Sequence, residues 1–390
     1  MSGTVGATVP LRRLARCLDG QRVPISREER GTIPGNIPYW GSGGVLDTVG
    51  QALFDEPLVL LGEDGAPFFE PGRDVAFLLD GPAWVNNHIH VLRSNAAIER
   101  RFLVYALNAV DYARYITGST RDKLTQDDMW AIRIPQLPVD RQRAIADYLD
   151  RETARIDALI AAKRRMAELL EERWQGVLET TIQALVRRFG ETPLKYVCRE
   201  VVVGIVITPS AWYADSGIPA IRGVNVSPGA ISQDELVYLT PEGHELHLKS
   251  RLCCGDVVVV RTGQAGAAAV VPPELEGANC IDLVIIRPSP HYSPQFLEYV
   301  LNSDWMQKHV AEYSVGTIQS HFNVGAASAV PVPQAPRADQ DAAVARLGVE
   351  RLRVRQVLDV LHDQIGLLQE RRQAFITAAV TGQLDIAEAA

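Results

Sequence analysis

The chain has 390 residues, of which 47% are hydrophobic and 22% charged, and a formal net charge of −8 at pH 7. That length can bury more than one core, and the composition is that of an ordinary globular protein. No apolar run approaches the 18 or so residues needed to span a bilayer, and the acidic balance argues against an unaided nucleic-acid binder.

Residues 1–18 lack an apolar core followed by a cleavage pattern, so no export signal is expected. The five cysteines (Cys17, Cys198, Cys253, Cys254 and Cys280) show no paired-ligand spacing. Adjacent Cys253 and Cys254 have poor geometry for a zinc knuckle or an ordinary disulfide, so a reduced, cytoplasmic compartment is expected.

In chain order, residues 11–18 read as a short helix. Residues 33–44 are punctuated by turn formers and carry the adjacent aromatics Tyr39 and Trp40. Residues 58–61 (LVLL) read as a strand ending in a tight turn, Gly62-Glu63-Asp64-Gly65. Further strands are expected at 75–79, 84–85 and 89–92, then a short helix at 102–112. The polar loop 115–125 leads into a proline-rich segment, Ile134-Pro135-Gln136-Leu137-Pro138.

From there a long helix is expected, to about Arg188. Pro135 and Pro138 hold the lead-in extended, and no further proline or glycine appears before Gly176. Ile145, Leu149, Ile156, Leu159/Ile160, Met166, Leu170, Trp174 and Val177 recur every three to four positions, close to a coiled-coil seam. The pattern then occurs again, from Val332-Pro333-Gln334-Ala335-Pro336 to about Leu384. There Leu347, Val354, Leu358, Leu361, Ile365, Leu368 and Phe375 form the stripe. A shift of 198 positions superimposes residues 115–184 on 313–382 without a gap, with sixteen identities in seventy positions. These include Pro135/Pro333, Pro138/Pro336 and Gln142/Gln340. A repeat this long is a duplicated domain with its own helix.

The domain bodies repeat more loosely. Residues 218–223 match 37–41, 256–264 match 58–65, 279–283 match 87–91, and 296–302 match 102–108. The expected division is a first domain at 1–138, a central helix at 139–188, a second domain at 189–336, a C-terminal helix at 337–384 and a tail at 385–390. The fold class is α+β: two pseudo-repeated mixed domains separated by two long helices. Stripes of matched length favour pairing of the two helices with each other; the alternative is that each packs on its own domain.

These features together resemble the specificity subunit of Type I restriction–modification systems. The most specific elements are the PxxP-x3-Q-x-AIA-x-YLD-x-ETA-x-ID-x-LI run from Pro135 to Ile160, the segment 169–175 and the loop Gly118-Ser119-Thr120. LLGEDGAPF (60–68) and WVNNHIHVL (84–92) are similar too. The family's Glu-Gln after the prolines is Arg141-Gln142 here and Asp339-Gln340 in the second copy. The second helix, with Gly348 and Gly366, is the weaker match. The resemblance implies two target-recognition domains, each reading one half of a split site on double-stranded DNA, held apart by the two long helices paired as an antiparallel coiled coil. It implies docking to two methyltransferase subunits and, in the nuclease form, to restriction subunits. It also implies no cofactor on this chain, with S-adenosylmethionine, ATP and magnesium on the partners. A split site needs a spacer, and one added heptad would lengthen it by roughly 10 Å, or about three base pairs.

Reading base edges takes Arg or Lys for guanine, Asn or Gln for adenine and hydroxyls for either. On expected turns of the first domain the candidates are Tyr39, Trp40, Ser42, Asn86, Asn87, His88, Ser119, Thr120, Arg121 and Lys123. In the second they are Arg222, Asn225, Arg261, Thr262, Gln264, Thr317, Gln319, Ser320 and His321. Loops 118–123 and 316–321 stand out because both copies keep a glycine and a hydroxyl there. For any single residue the alternative is turn stabilisation or an internal hydrogen bond.

His88 and His90 alternate on an expected strand, but no third ligand lies at useful spacing, so no metal is expected. Glu63 and Asp64 fit a hairpin turn better than acid–base chemistry. There is no GxxxxGK[ST] loop, no Asn/Asp-Pro-Pro-aromatic tetrapeptide and no Ser/His/Asp order. The expectation is therefore a non-catalytic DNA-reading adaptor. The competing readings are an enzyme using Glu63, Asp64, His88 and His90, and an assembly scaffold that binds only protein.

Overall fold

Directly after Pro138 the chain turns helical and stays so over Val139–Phe189, 51 residues or about 75 Å at 1.5 Å per residue. The C-terminal helix spans Arg337–Val380, 44 residues. Each is followed by a glycine in the left-handed region, Gly190 after the first (φ +73°) and Gly382 after the second (φ +75°). A side chain at either position would strain the backbone, so glycine is the natural terminator there. The structure is a computed structural model that describes residues 7–116, 122–263, 265–313, 322–384 and 386. No helix among these residues is long and apolar enough to cross a membrane.

The chain divides into two compact units, residues 1–165 with 360–390, and residues 166–359. Each unit therefore takes a portion of both long helices.

In the first unit a four-stranded antiparallel sheet has the spatial order Ala15–Cys17, Ile89–Ser94, Leu58–Gly62, Ala76–Leu79. Successive side chains of a strand point to opposite faces, and the LVLL run is apolar throughout because both faces are covered. Val59 and Leu61 enter the core shared with Phe102, Leu103 and Leu107 of the helix Arg100–Asn108. Leu58 and Leu60 enter a second cluster with Phe54, Val85 and Ile89. A second sheet has the order Gly44–Val49, Ile37–Gly41, Pro82–Val85, Phe54–Asp55, and its two middle strands are parallel.

The second unit repeats this frame. Its first sheet runs Cys198–Val203, Leu283–Pro288, Val257–Val260, Ala268–Val270. Val257 and Val259 face one core, and Val258 and Val260 the other. Parallel pairing of Ile218–Ile221 with Asn279–Cys280 repeats that of Ile37–Gly41 with Pro82–Val85. Two-stranded ribbons close each unit beneath its long helix, Thr8–Pro10 with Arg133–Pro135 and Glu191–Pro193 with Pro331–Pro333. Single polar side chains are reused as well. Asn108 accepts from the Ala76 N–H at 2.9 Å and donates to that residue's carbonyl. Asn302 does the same to Ala268.

Within each unit the long helices pair antiparallel. In the first, Ile145 and Leu149 share a core with Ile376, Ala379 and Val380. Lys163 donates to Gln364 at 2.6 Å, and Arg372 reaches Asp157 at 3.0 Å. In the second, Trp174, Leu178 and Ile182 pack with Ala343, Leu347 and Val354. Arg188 meets Asp339, Arg173 meets Glu350 and Arg351 meets Glu171, each at 3.0 Å. Partner numbers rise on one helix as they fall on the other.

Several local expectations are corrected. Residues 11–18 are not a helix: a 3-10 turn, Leu11–Arg13, gives way to the strand Ala15–Cys17, whose Arg16 and Cys17 pair with Arg93 and Leu92. Sheet pairing overrides the helical spacing of Leu11, Leu14 and Leu18. The second short helix stops at Asn108, short of Tyr112. Asn279 and Cys280 match Trp84 and Val85 by strand pairing, three residues away from the match read in the sequence. Met166, counted in the seam, is exposed, and of the pair Leu159/Ile160 only Ile160 is buried. Near each sheet core a third layer covers the stripe, whereas two helices alone cover only part of such side chains.

Candidate nucleic-acid interface

In the first unit three segments meet where Leu58–Gly62 leaves its sheet. Glu63 donates its N–H to the His88 carbonyl at 3.0 Å and accepts from the Leu124 N–H at 2.8 Å. Asp64 and Lys123 form an isolated antiparallel backbone bridge outside the strands. A charge network lies beneath. The buried His90 has Nδ1 2.6 Å from Asp19 and Nε2 3.0 Å from the Leu124 carbonyl. Arg22 donates to Glu63 at 2.7 Å and to the Ile89 carbonyl at 2.8 Å, and Lys123 lies 3.3 Å from the other Glu63 oxygen. Burial raises the Asp19 carboxyl, but the hydrogen bonds from His90 and the Val91 N–H, with the charges of His90 and Arg22, outweigh it and hold the group below its ordinary value.

Asp19, Glu63 and His90 bring ligand atoms within 4.8 Å of one another, so the structure supplies the companions that the sequence did not show beside His90. Arg22 and Lys123 already occupy the Glu63 carboxylate, and the cluster is a neutralised brace for the loops. His88 is not on the strand: it precedes Ile89–Ser94 and lies 3.3 Å from Asp64.

The other candidates of this unit are placed as follows. Tyr39 lies inside Ile37–Gly41 and not on a turn; it is fully buried, with the Arg30 guanidinium 4.7 Å from its ring centre. Trp40 is half-buried against Phe77, and its indole N–H has no partner among the described residues. Ser42 occupies the turn between Ile37–Gly41 and Gly44–Val49. Asn86, Asn87 and His88 form the turn between Pro82–Val85 and Ile89–Ser94, with Asn87 exposed. Ser119, Thr120 and Arg121 lie outside the described residues.

In the second unit, Arg261 holds the position of Glu63. Its carbonyl accepts from the Phe322 N–H at 3.2 Å, as that of Glu63 accepts from Leu124. Its guanidinium donates to Asp282, and its Nε is buried with no partner among the described residues. Arg222 donates to the Glu235 carbonyl at 3.0 Å, and its Nε likewise has no partner among the described residues. Asn225 is buried and spent internally, accepting from the Arg222 N–H and donating to the Asp234 carbonyl. Thr262 is exposed. Gln264, Thr317, Gln319, Ser320 and His321 lie outside the described residues.

Three segments leave this unit's sheets side by side: Ile281 donates to the Ile221 carbonyl at 2.8 Å, and Asp282 to the Ile205 carbonyl at 3.1 Å. They deliver Arg222, Asp282 and the apolar Ile207 to one edge. Ile207 is 77% exposed, and Val224, next to Gly223, is 79% exposed. Sequence reading missed Asp282, Ile207 and Val224, as it missed Asp19 and Arg22. For Ile207 and Val224 a signal was present, since each is a β-branched residue set beside turn formers.

Residues 18–168 match the family model described as Type I restriction modification DNA specificity domain. A putative type I restriction enzyme specificity subunit of Haemophilus influenzae is 32% identical over 145 residues. That match spans 37% of this chain and 37% of the relative's length. Among solved structures, a chain from work on complex assembly and conformational transition of the type I R-M system has a TM-score of 0.59 at 18% identity, covering 97% of this chain and 98% of its own. The S subunit from M. genitalium has a TM-score of 0.41 at 14% identity, covering 97% of each chain. The resemblance read from the sequence is borne out over residues 18–168, and the TM-score of 0.59 extends the shared fold to nearly the whole chain.

Proposed function

We propose that this chain, which carries a Type I restriction modification DNA specificity domain over residues 18–168, is the non-catalytic specificity subunit of a Type I restriction–modification assembly. Each unit reads one half of a split site on double-stranded DNA. The observation that carries this reading is the duplicated frame with dissimilar edges: the same strand end carries Glu63 under two cations in one copy and Arg261 on Asp282 in the other. A frame repeated down to single hydrogen bonds, with dissimilar chemistry at the loops, suits two readers of different sequences.

On this reading methyl transfer belongs to two methyltransferase subunits, and cleavage, where present, to restriction subunits. S-adenosylmethionine, ATP and magnesium belong to those partners. A net charge of −8 leaves much of the phosphate attraction to them as well. The test is a domain exchange. Replacing residues 1–138 with those of a related chain, in the assembled methyltransferase, should change one half of the methylated motif and leave the other intact. A change in both halves, or no bipartite motif from the wild-type assembly, would refute the reading.

A further inference from the structure

The internal repeat provides a comparison between equivalent positions of one molecule. Positions 63 and 261 follow matching strands, and each carbonyl accepts the matching backbone N–H, from Leu124 or Phe322. Their side chains carry opposite charge. Both oxygens of Glu63 are engaged, one by Arg22 and one by Lys123, and its side chain is only 13% exposed. Arg261 has five donors, and among the described residues its guanidinium is held by Asp282 alone. Its side chain is 17% exposed, and that of Asp282 44%.

Asp282 is itself held unusually. Its φ of +53° lies in the left-handed region, which aspartate tolerates better than most residues but still at a cost. Its N–H is tied to the Ile205 carbonyl at 3.1 Å. An aspartate fixed in this way orients a planar cation, and a planar fork of N–H donors is what the O6 and N7 edge of guanine accepts.

We infer that Arg261 reads a guanine in the half-site of the second unit, with Asp282 as its positioning residue, and that position 63/261 is where the two readers diverge. This rests on the function proposed above. Lysine keeps the charge and can still donate to a guanine but lacks the planar fork, so it weakens base reading while leaving simple attraction to phosphate in place.

The experiment maps the methylated motif in cells that express the full chain with its methyltransferase partner. The variants are Arg261→Ala, Arg261→Lys, Asp282→Asn and, as a control, Glu63→Gln. The wild type should select a guanine in one half. Arg261→Ala should lose discrimination at that base pair by roughly tenfold to a hundredfold and Arg261→Lys should weaken it by less, with the other half unchanged in both. Asp282→Asn should keep the same preferred base with weaker discrimination, and Glu63→Gln should leave that half untouched.

Should Arg261→Ala fail to fold, judged by its melting profile, Arg261→Lys carries the test. The inference fails if the wild-type half lacks a guanine, or if the motif survives Arg261→Lys intact. It also fails if binding weakens evenly across sequences with a salt slope lower by about one, the mark of a phosphate contact. Absence of any bipartite motif from the wild type is a separate outcome, which removes the functional reading together with the inference.

Discussion

Gln340 repeats Gln142 bond for bond. Gln142 accepts from the Glu99 N–H at 2.7 Å and donates to the carbonyls of Ala97 and Leu137. Gln340 accepts from the Ser293 N–H at 2.9 Å and donates to those of His291 and Ala335. Both are buried, and each ties the first turn of a long helix to the segment ahead of its unit's short helix. Replacing Gln340 with Leu leaves a buried N–H and two carbonyls unpaired. It should destabilise the second unit by about 2–4 kcal/mol, measured by denaturant unfolding. An equal loss from a substitution at exposed Gln356 would show that the effect is not specific.

Arg372 is the polar clasp of the first unit. It grips both oxygens of Asp74 at 3.0 Å and reaches Asp157 at 3.0 Å. Burial disfavours its charge, but the two carboxylates more than compensate and raise its pKa. Arg372→Ala would strand Asp74 and should cost about 3 kcal/mol. Arg372→Lys should recover only part of this, because an ammonium cannot fork onto both oxygens. Thermal unfolding of the two variants checks the order.

Two carboxyls give opposite pH dependence. The folded pKa of Asp19 lies below the unfolded value of about 3.9, so its contribution is complete above that value and is lost as pH falls through the folded pKa. Glu298 is raised, chiefly by burial, which the Val270 N–H and the charge of Arg351 only partly offset. Its cost is absent below about pH 4.3 and grows as pH rises towards the folded pKa. Glu298→Gln should therefore leave stability unchanged in acid and raise it at neutral pH. Asp19→Asn should flatten the acid limb. Unfolding free energies across pH 3–8 measure both.

Inserting seven residues into each long helix, after Lys163 in one and before Gln364 in the other, adds two turns to each and about 10 Å. On the proposed function the methylated motif should keep both halves and gain about three unread base pairs between them. An unchanged spacer would show that helix length does not set it.

Much of the architecture was legible because its signals are long. Two proline lead-ins, two glycine-poor stripes and the 198-residue register need no knowledge of distant contacts, and the LVLL and VVVV runs announce strands covered on both faces. Short elements were less legible. Residues 11–18 carry helical spacing, yet pairing with Arg93 and Leu92 decides their state. Of the candidate interface, Arg222, Arg261 and the 86–88 turn were visible as residue types beside turn formers. Tyr39 was misplaced because its burial depends on the neighbouring strand and on Arg30. Asp19 is 71 residues from His90, and local spacing carries no trace of that pairing.

The division of the long helices between the units has a consequence for biosynthesis. The second unit draws only on residues 166–359, so its parts are complete before the last stretch of helix is translated. The first unit shares its core with Ile376, Ala379 and Val380 and must wait on the ribosome with that surface open. Domains fold as their chain emerges, so here the unit that begins first is finished last, and a message cut short before residue 376 would yield one mature reader beside an unfinished one.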